Sequence, residues 1–205
     1  MKKERTITAA VVLLLILVIG GAIAYFTDTE NVTNVFTIGD VDITLTEPNW
    51  DDTDADSDGV PESAEGRTPG QTIPKDPTIT NVGTNDAYIF AKVEAPCTIG
   101  ENPDKELFTY TTNNGWYLMN DGSCSNGTVT DIYAYGTSSA MTAVSSGNDA
   151  TLFNNVTVNT AITGDESGLT GNKNLVVTGY AVQADGLNIQ NGDTPANVWS
   201  ASGFS

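Results

Sequence analysis

The sequence predicts an all-β protein, an antiparallel β-sandwich of jelly-roll type preceded by an N-terminal signal helix. Three observations predict it. Val, Ile, Tyr and Phe gather in strand-length clusters, either alternating with polar residues or in short β-branched runs. Turn signals rich in Asn, Asp and Gly separate these clusters. A single long apolar run precedes everything else.

That run comes first in chain order. Lys2, Lys3 and Arg5 form a basic lead, Ala9 to Ile19 is unbroken apolar, and Ala22-Ile23-Ala24 supplies the small residues a signal peptidase needs. Cleavage between Ala24 and Tyr25 is expected, so residues 1–24 read as a signal peptide and the product as secreted, to the extracellular matrix or cell surface. The alternative is a membrane anchor left uncleaved, since the apolar stretch is about 18 residues long, at the lower edge of what spans a bilayer. Residues 25–205 read as one sandwich domain carrying an acidic insertion at about 51–66.

The first strand follows directly. Val41, Ile43 and Leu45 share one face, with Asp42, Thr44 and Thr46 on the other. From Ala87 to Ala95, Tyr88, Phe90 and Lys92 oppose Ile89, Ala91 and Val93. Further strands are expected near Leu107–Tyr110, Gly115–Met119, Thr128–Tyr135, Leu152–Ile162 and Leu175–Gln183. Asn113-Asn114-Gly115, Asp121-Gly122, Asn126-Gly127, Ser146 to Asp149 and Gly164-Asp165 mark turns between them. Two stretches have helical character: Ser138–Ser145, with its alanines and Met141, and the residues around Thr194–Trp199.

The insertion interrupts this pattern between Trp50 and Pro74 and reads as a surface loop. Within it, Asp54 to Glu65 satisfies D-x-D-x-D-G-x5-E at every specified position. Alternate residues of a curling loop turn their carboxylates inward, Gly59 permits the sharp bend, and a terminal Glu closes the shell with two oxygens. Asp54, Asp56, Asp58 and Glu65 would supply side-chain oxygens and Val60 its carbonyl, with Glu62 acting directly or through a water. Pro61, and the Pro and Gly residues on either side, argue against the flanking helices of an EF-hand. The expected ion is Ca2+ in a structural role; the alternative is a solvated acidic linker.

Charge narrows the function. The chain carries 26 acidic residues against eight basic ones, net −18, and loss of residues 1–24 would leave 25 against five, net −20. Nucleic-acid recognition rests on a basic footprint that is absent here. The sequence contains no histidine, which removes H-E-x-x-H zinc sites, Ser-His and Cys-His nucleophiles and the commonest general base. A non-catalytic protein is expected. Cys97 and Cys124 are the two cysteines, a disulfide in an exported protein or else two free thiols.

The chain resembles the exported bacterial family that includes the biofilm fibre protein TasA and the spore-former surface protein camelysin, substrates of a SipW-type signal peptidase. The resemblance rests on Ala24 to Thr29, Asn34 to Gly39, Val41 to Leu45 and Glu47-Pro48-Asn49-Trp50. It continues in Pro69-Gly70-Gln71, Pro77 to Val93, Tyr180 to Gln183 and Val198-Trp199. It implies the same sandwich and a structural role in the matrix or at the cell surface. It also implies self-association into fibres, in which the freed N-terminal strand of one copy, carrying Phe36, Ile38, Val41, Ile43 and Leu45, completes the sheet of the next. Other matrix proteins are further candidate partners. Camelysin-like relatives are described as metallopeptidases, and without a histidine that chemistry does not transfer. A monomeric module for a carbohydrate or host protein is the other reading, with Tyr110, Trp116, Tyr117, Tyr133 and Tyr135 as its aromatics.

Overall fold

A computed structural model describes residues 40–100, 103–163, 173–186 and 192–204. The signal segment with Ala24 and Tyr25, the strand residues Phe36 and Ile38, and the Gly164-Asp165 turn lie outside the described residues. Among the described residues no helix is long and apolar enough to cross a membrane.

The strands are β1 (Ile43–Thr46), β2 (Thr72–Pro74), β3 (Thr78–Asn81), β4 (Ala87–Pro96), β5 (Phe108–Thr112), β6 (Trp116–Asn120) and β7 (Thr128–Thr137). They continue with β8 (Ala140–Met141), β9 (Ala143–Val144), β10 (Asp149–Thr151), β11 (Phe153–Val158) and β12 (Val176–Gln183), and one helix, α1 (Pro195–Ser202), follows. Each pairing between these strands is antiparallel. The all-β antiparallel architecture is therefore the one that the alternation and turn signals predict.

One sheet runs β12-β4-β7-β6, with β8 on β7 and β9 on β4. Opposite it lie two short sheets, β1-β3-β10 and β2-β11-β5. The bonds Leu152 N–H to Pro77 O (2.9 Å) and Lys75 N–H to Asn154 O (3.2 Å) continue the pairing from one short sheet into the other. The core lies between the layers: Ile89, Ala91, Val93 and Tyr133 from the large sheet meet Ile73, Ile79, Phe153, Val156 and Val158 from the short ones.

β4 carries buried apolar residues on both faces. Ile89, Ala91 and Val93 point between the layers, and Phe90 points the other way, fully buried against α1. There Trp199 meets the Phe90 ring edge-on at 5.2 Å, and Phe204 and Tyr180 complete the cluster. Thr194 caps α1 by accepting the Asn197 N–H, Pro195 sits at its start, and Gly203 ends it with φ 70°. The helix expected around Thr194–Trp199 is thus present.

The helix expected over Ser138–Ser145 is not. Those residues form β8 and β9, and Met141 and Val144 are buried while Ala140 and Ala143 are exposed. Pairing with β7 and β4 satisfies their backbone groups and overrides the weak helical preference of the alanines. Asn126 (φ 53°) and Gly127 (φ 84°) make the two-residue hairpin turn that Asn-Gly predicts, closed by reciprocal bonds between Ser125 and Thr128.

Candidate functional site

The acidic insertion begins and ends at a polar clamp. Lys75 Nζ donates to Glu47 Oε1 at 2.6 Å and lies 5.1 Å from the centre of the Trp50 ring. Asn49 donates its backbone N–H and its Nδ2 to the two oxygens of Asp76, at 2.9 and 2.7 Å. Asp76 is buried, and these bonds replace the water it gives up. Residues before and after the loop are therefore fastened together, so the loop hangs from a fixed base. Sequence reasoning took Glu47 to Trp50 only as a mark of resemblance and missed the clamp. The signal available was a Lys-Asp pair at 75–76 in a chain with very few cations.

Inside the loop, the ligand oxygens of Asp54, Asp56 and Asp58 lie within 4.8 Å of one another. Backbone N–H groups hold them there. Asp58 N–H donates to Asp54 Oδ1 and Asp56 Oδ1, both at 3.2 Å, Gly59 N–H to Asp54 Oδ2 at 2.9 Å and Val60 N–H to Asp58 Oδ1 at 2.8 Å. Ser57 and Gly59 both take positive φ, 61° and 87°, which curls the chain around its own carboxylates. Glu62 is tied across the loop, its Oε1 accepting the Ala55 N–H at 2.7 Å while its N–H reaches Thr53 O. Asp51 accepts from the Thr53 hydroxyl and N–H, and these bonds hold its carboxyl below the usual range. Glu65 is exposed and stands apart from the converging trio. Half-buried Val60 closes the curl beside Pro61. Three carboxylates converging without a cationic side chain form a hard oxygen donor set, suited to Ca2+ or Mg2+ and not to a thiolate- or imidazole-seeking metal.

The N-terminal strand sits at a sheet edge. β1 pairs with β3 over Ile43↔Asn81 to Thr46↔Thr78 and with no other strand among the described residues. Ahead of it, Asp40 and Asp42 offer carbonyls to the N–H groups of Val82, Gly83, Thr84 and Asn85. Gly83 is needed there, because a Cβ would lie 2.7 Å from Asp40 O. Val41 and Ile43 pack on the core, whereas Leu45, expected on the same face as they are, is 38% exposed. Leu45 lies toward the end of the strand, where the cover over that face is incomplete. Ile43 and Ile79 both lean on Gly179 of β12, where the missing side chain admits them.

Cys97 and Cys124 are joined by a disulfide, with their Cα atoms 6.0 Å apart. It fastens the end of β4 to the β6–β7 connection. Four of the five aromatics considered for ligand stacking are engaged in packing. Tyr110 and Tyr133 donate to the buried Asp131, Tyr133 also reaches the Tyr110 hydroxyl at 3.2 Å, and Trp116 donates to Thr151 O while its ring meets Tyr135 edge-on. Burial raises Tyr110 and pushes Tyr133 up to about 12. Burial together with the charges of Asp131 and Asp121 raises the Glu106 carboxyl above its ordinary value. Only Tyr117 of the five is exposed, so these five do not form an exposed coplanar platform.

Residues 1–95 match a family model described as camelysin metallo-endopeptidase. No curated protein and no solved structure matches the chain significantly. The match runs from residue 1 to Ala95 in β4, 95 of the chain's 205 residues, and is a similarity to the camelysin family over that span. Its metallopeptidase title finds no zinc-binding histidine in this chain, and the two cysteines are spent on the disulfide.

Proposed function

We propose that this protein is a secreted, non-catalytic structural component of the extracellular matrix or cell surface, trimmed by a SipW-type peptidase and assembled through its N-terminal segment. The observation that carries this reading is the position of β1. It covers one edge of β3 with four residues, of which Ile43 packs on the core beside Val41 just ahead of the strand, and ends in an exposed rim. A second copy of the same segment would make the same contacts, so exchange between molecules loses little and extends head to tail. In this reading Tyr25 to Thr46 is the donated arm, with Phe36 and Ile38 ahead of β1 lengthening the contact.

The acidic loop would serve as a calcium clasp. It hangs from the Glu47–Lys75 and Asn49–Asp76 clamp directly after β1, so ordering the loop stiffens the joint from which the arm leaves. Without a cation the carboxylates repel one another; with Ca2+ they are drawn together. Electron microscopy of the purified processed protein with and without calcium tests the reading. Fibres that form more readily with calcium are expected, and monomers under every condition would contradict it.

A further inference from the structure

A polar groove of about 470 Å³ lies over the short sheet β2-β11-β5, lined by Thr, Asn and Tyr110 without a single charged residue. Such a surface is unusual on a chain of net charge −18. Its geometry follows from the strands: Ile73, Val156 and Val158 point into the core, which turns Thr72, Thr157 and Thr109 outward as a row across three paired strands. Thr72 and Thr157 share a hydroxyl hydrogen bond at 3.0 Å. At the other end a β-bulge between Phe153 and Val156 leaves Asn154 and Asn155 both exposed, where regular alternation would show one. Asn113 and Asn154 are locked amide to amide, Asn154 Nδ2 donating to Asn113 Oδ1 at 2.9 Å, and Asn113 also donates to Thr151 O. The amides and hydroxyls are thus held on rigid strands and offer both donors and acceptors.

We propose that this groove binds a neutral glycan. Hydroxyls and amides match a polyol's mixed donors and acceptors, the chain's negative field repels polyanions, and the lining offers a cation no carboxylate and a lipid little apolar surface. The volume falls within the range of small-ligand sites, about 300–1,000 Å³, which suits a short oligosaccharide segment. Tyr110, the aromatic of the lining, is packed on Phe153 and Tyr133 and leaves no free ring face for a sugar, so the site should bind weakly, with Kd on the order of 1 mM. The inference stands apart from assembly, because it concerns a different sheet and is tested on monomers.

The experiment is an NMR titration of purified monomeric protein with neutral hexasaccharides of glucose, mannose and N-acetylglucosamine, and with oligogalacturonate as the acidic control. Shifts concentrated at Thr109–Asn113 and Asn154–Thr157 with a neutral sugar, absent with the acidic one, are expected. A Thr109→Ala/Thr157→Ala variant should weaken that binding at least about fivefold, since each lost hydrogen bond removes part of a small binding energy, while Leu118→Ala on the other layer leaves it unchanged. Absence of shifts with all three sugars, shifts confined to other residues, or equal response to oligogalacturonate would overturn the proposal.

Discussion

β1 and β4 are both β-strands of alternating pattern, and they differ in almost everything that makes a strand permanent. β4 has ten residues, partners on both sides, and buried side chains on both faces, with Phe90 sealed under α1 and Ile89, Ala91 and Val93 in the inter-layer core. β1 has four residues, one partner among the described residues and an exposed Leu45 near its end. Hydrophobic stabilisation scales with the apolar area removed from water, so β4 anchors the fold and β1 is held mainly by its backbone bonds to β3 and the partly buried Ile43. The proposed assembly would draw on both kinds: a body that does not open and an element that can change partners.

The contrast is open to attack at several strengths. Phe90→Ala should cost about 3–5 kcal/mol, from lost burial and the cavity left under Trp199, while Leu45→Ala should stay within about 0.5 kcal/mol. Urea unfolding of the two variants checks this, and comparable losses would erase the distinction between anchor and rim.

Calcium should act on the region that follows β1 and leave β4 alone. For a site with Kd of about 0.1–1 mM, calcium near 1 mM contributes about 0.4–1.4 kcal/mol. Hydrogen exchange should slow across residues 54–60, with β4 amides unchanged, and Asp56→Asn should abolish the response. An unaltered calcium effect in that variant would place the ion elsewhere.

The smallest effect concerns the body. Burial, with Asp131 and Asp121 nearby, raises the Glu106 carboxyl in the folded state, so folding favours its protonated form. The stability it lends is present at acid pH and lost as pH rises through the raised value. Glu106→Gln should therefore raise the melting temperature at neutral pH, by an amount that shrinks toward acid pH. A gain independent of pH would assign the effect to packing.

What the sequence showed of this molecule divides along the same line. β4, β7 and β12 were legible because long alternating runs leave one assignment open, and Asn126-Gly127 was legible because few turns demand two positive φ angles. β2 and β3 were not marked as strands: three and four residues hemmed by Pro74 and Pro77 carry too little pattern, and their partners on β10 and β11 lie some 70–85 residues away. Ser138–Ser145 misled because alanine's helical preference is weak beside sheet pairing. In the acidic loop, the convergence of Asp54, Asp56 and Asp58 follows from spacing, whereas the Asn49–Asp76 and Glu47–Lys75 clamp required the fold.

The central claim is that β1 can leave its own β3 for that of another copy. Thr44 and Thr80 are direct partners in the β1–β3 register, within the reach of a disulfide once both are cysteine. In Thr44→Cys/Thr80→Cys protein oxidised after assembly, non-reducing electrophoresis should show a ladder of covalently linked multimers, while oxidised monomers give a single internally bonded chain. Fibres whose new disulfides are all internal to each chain would contradict strand exchange.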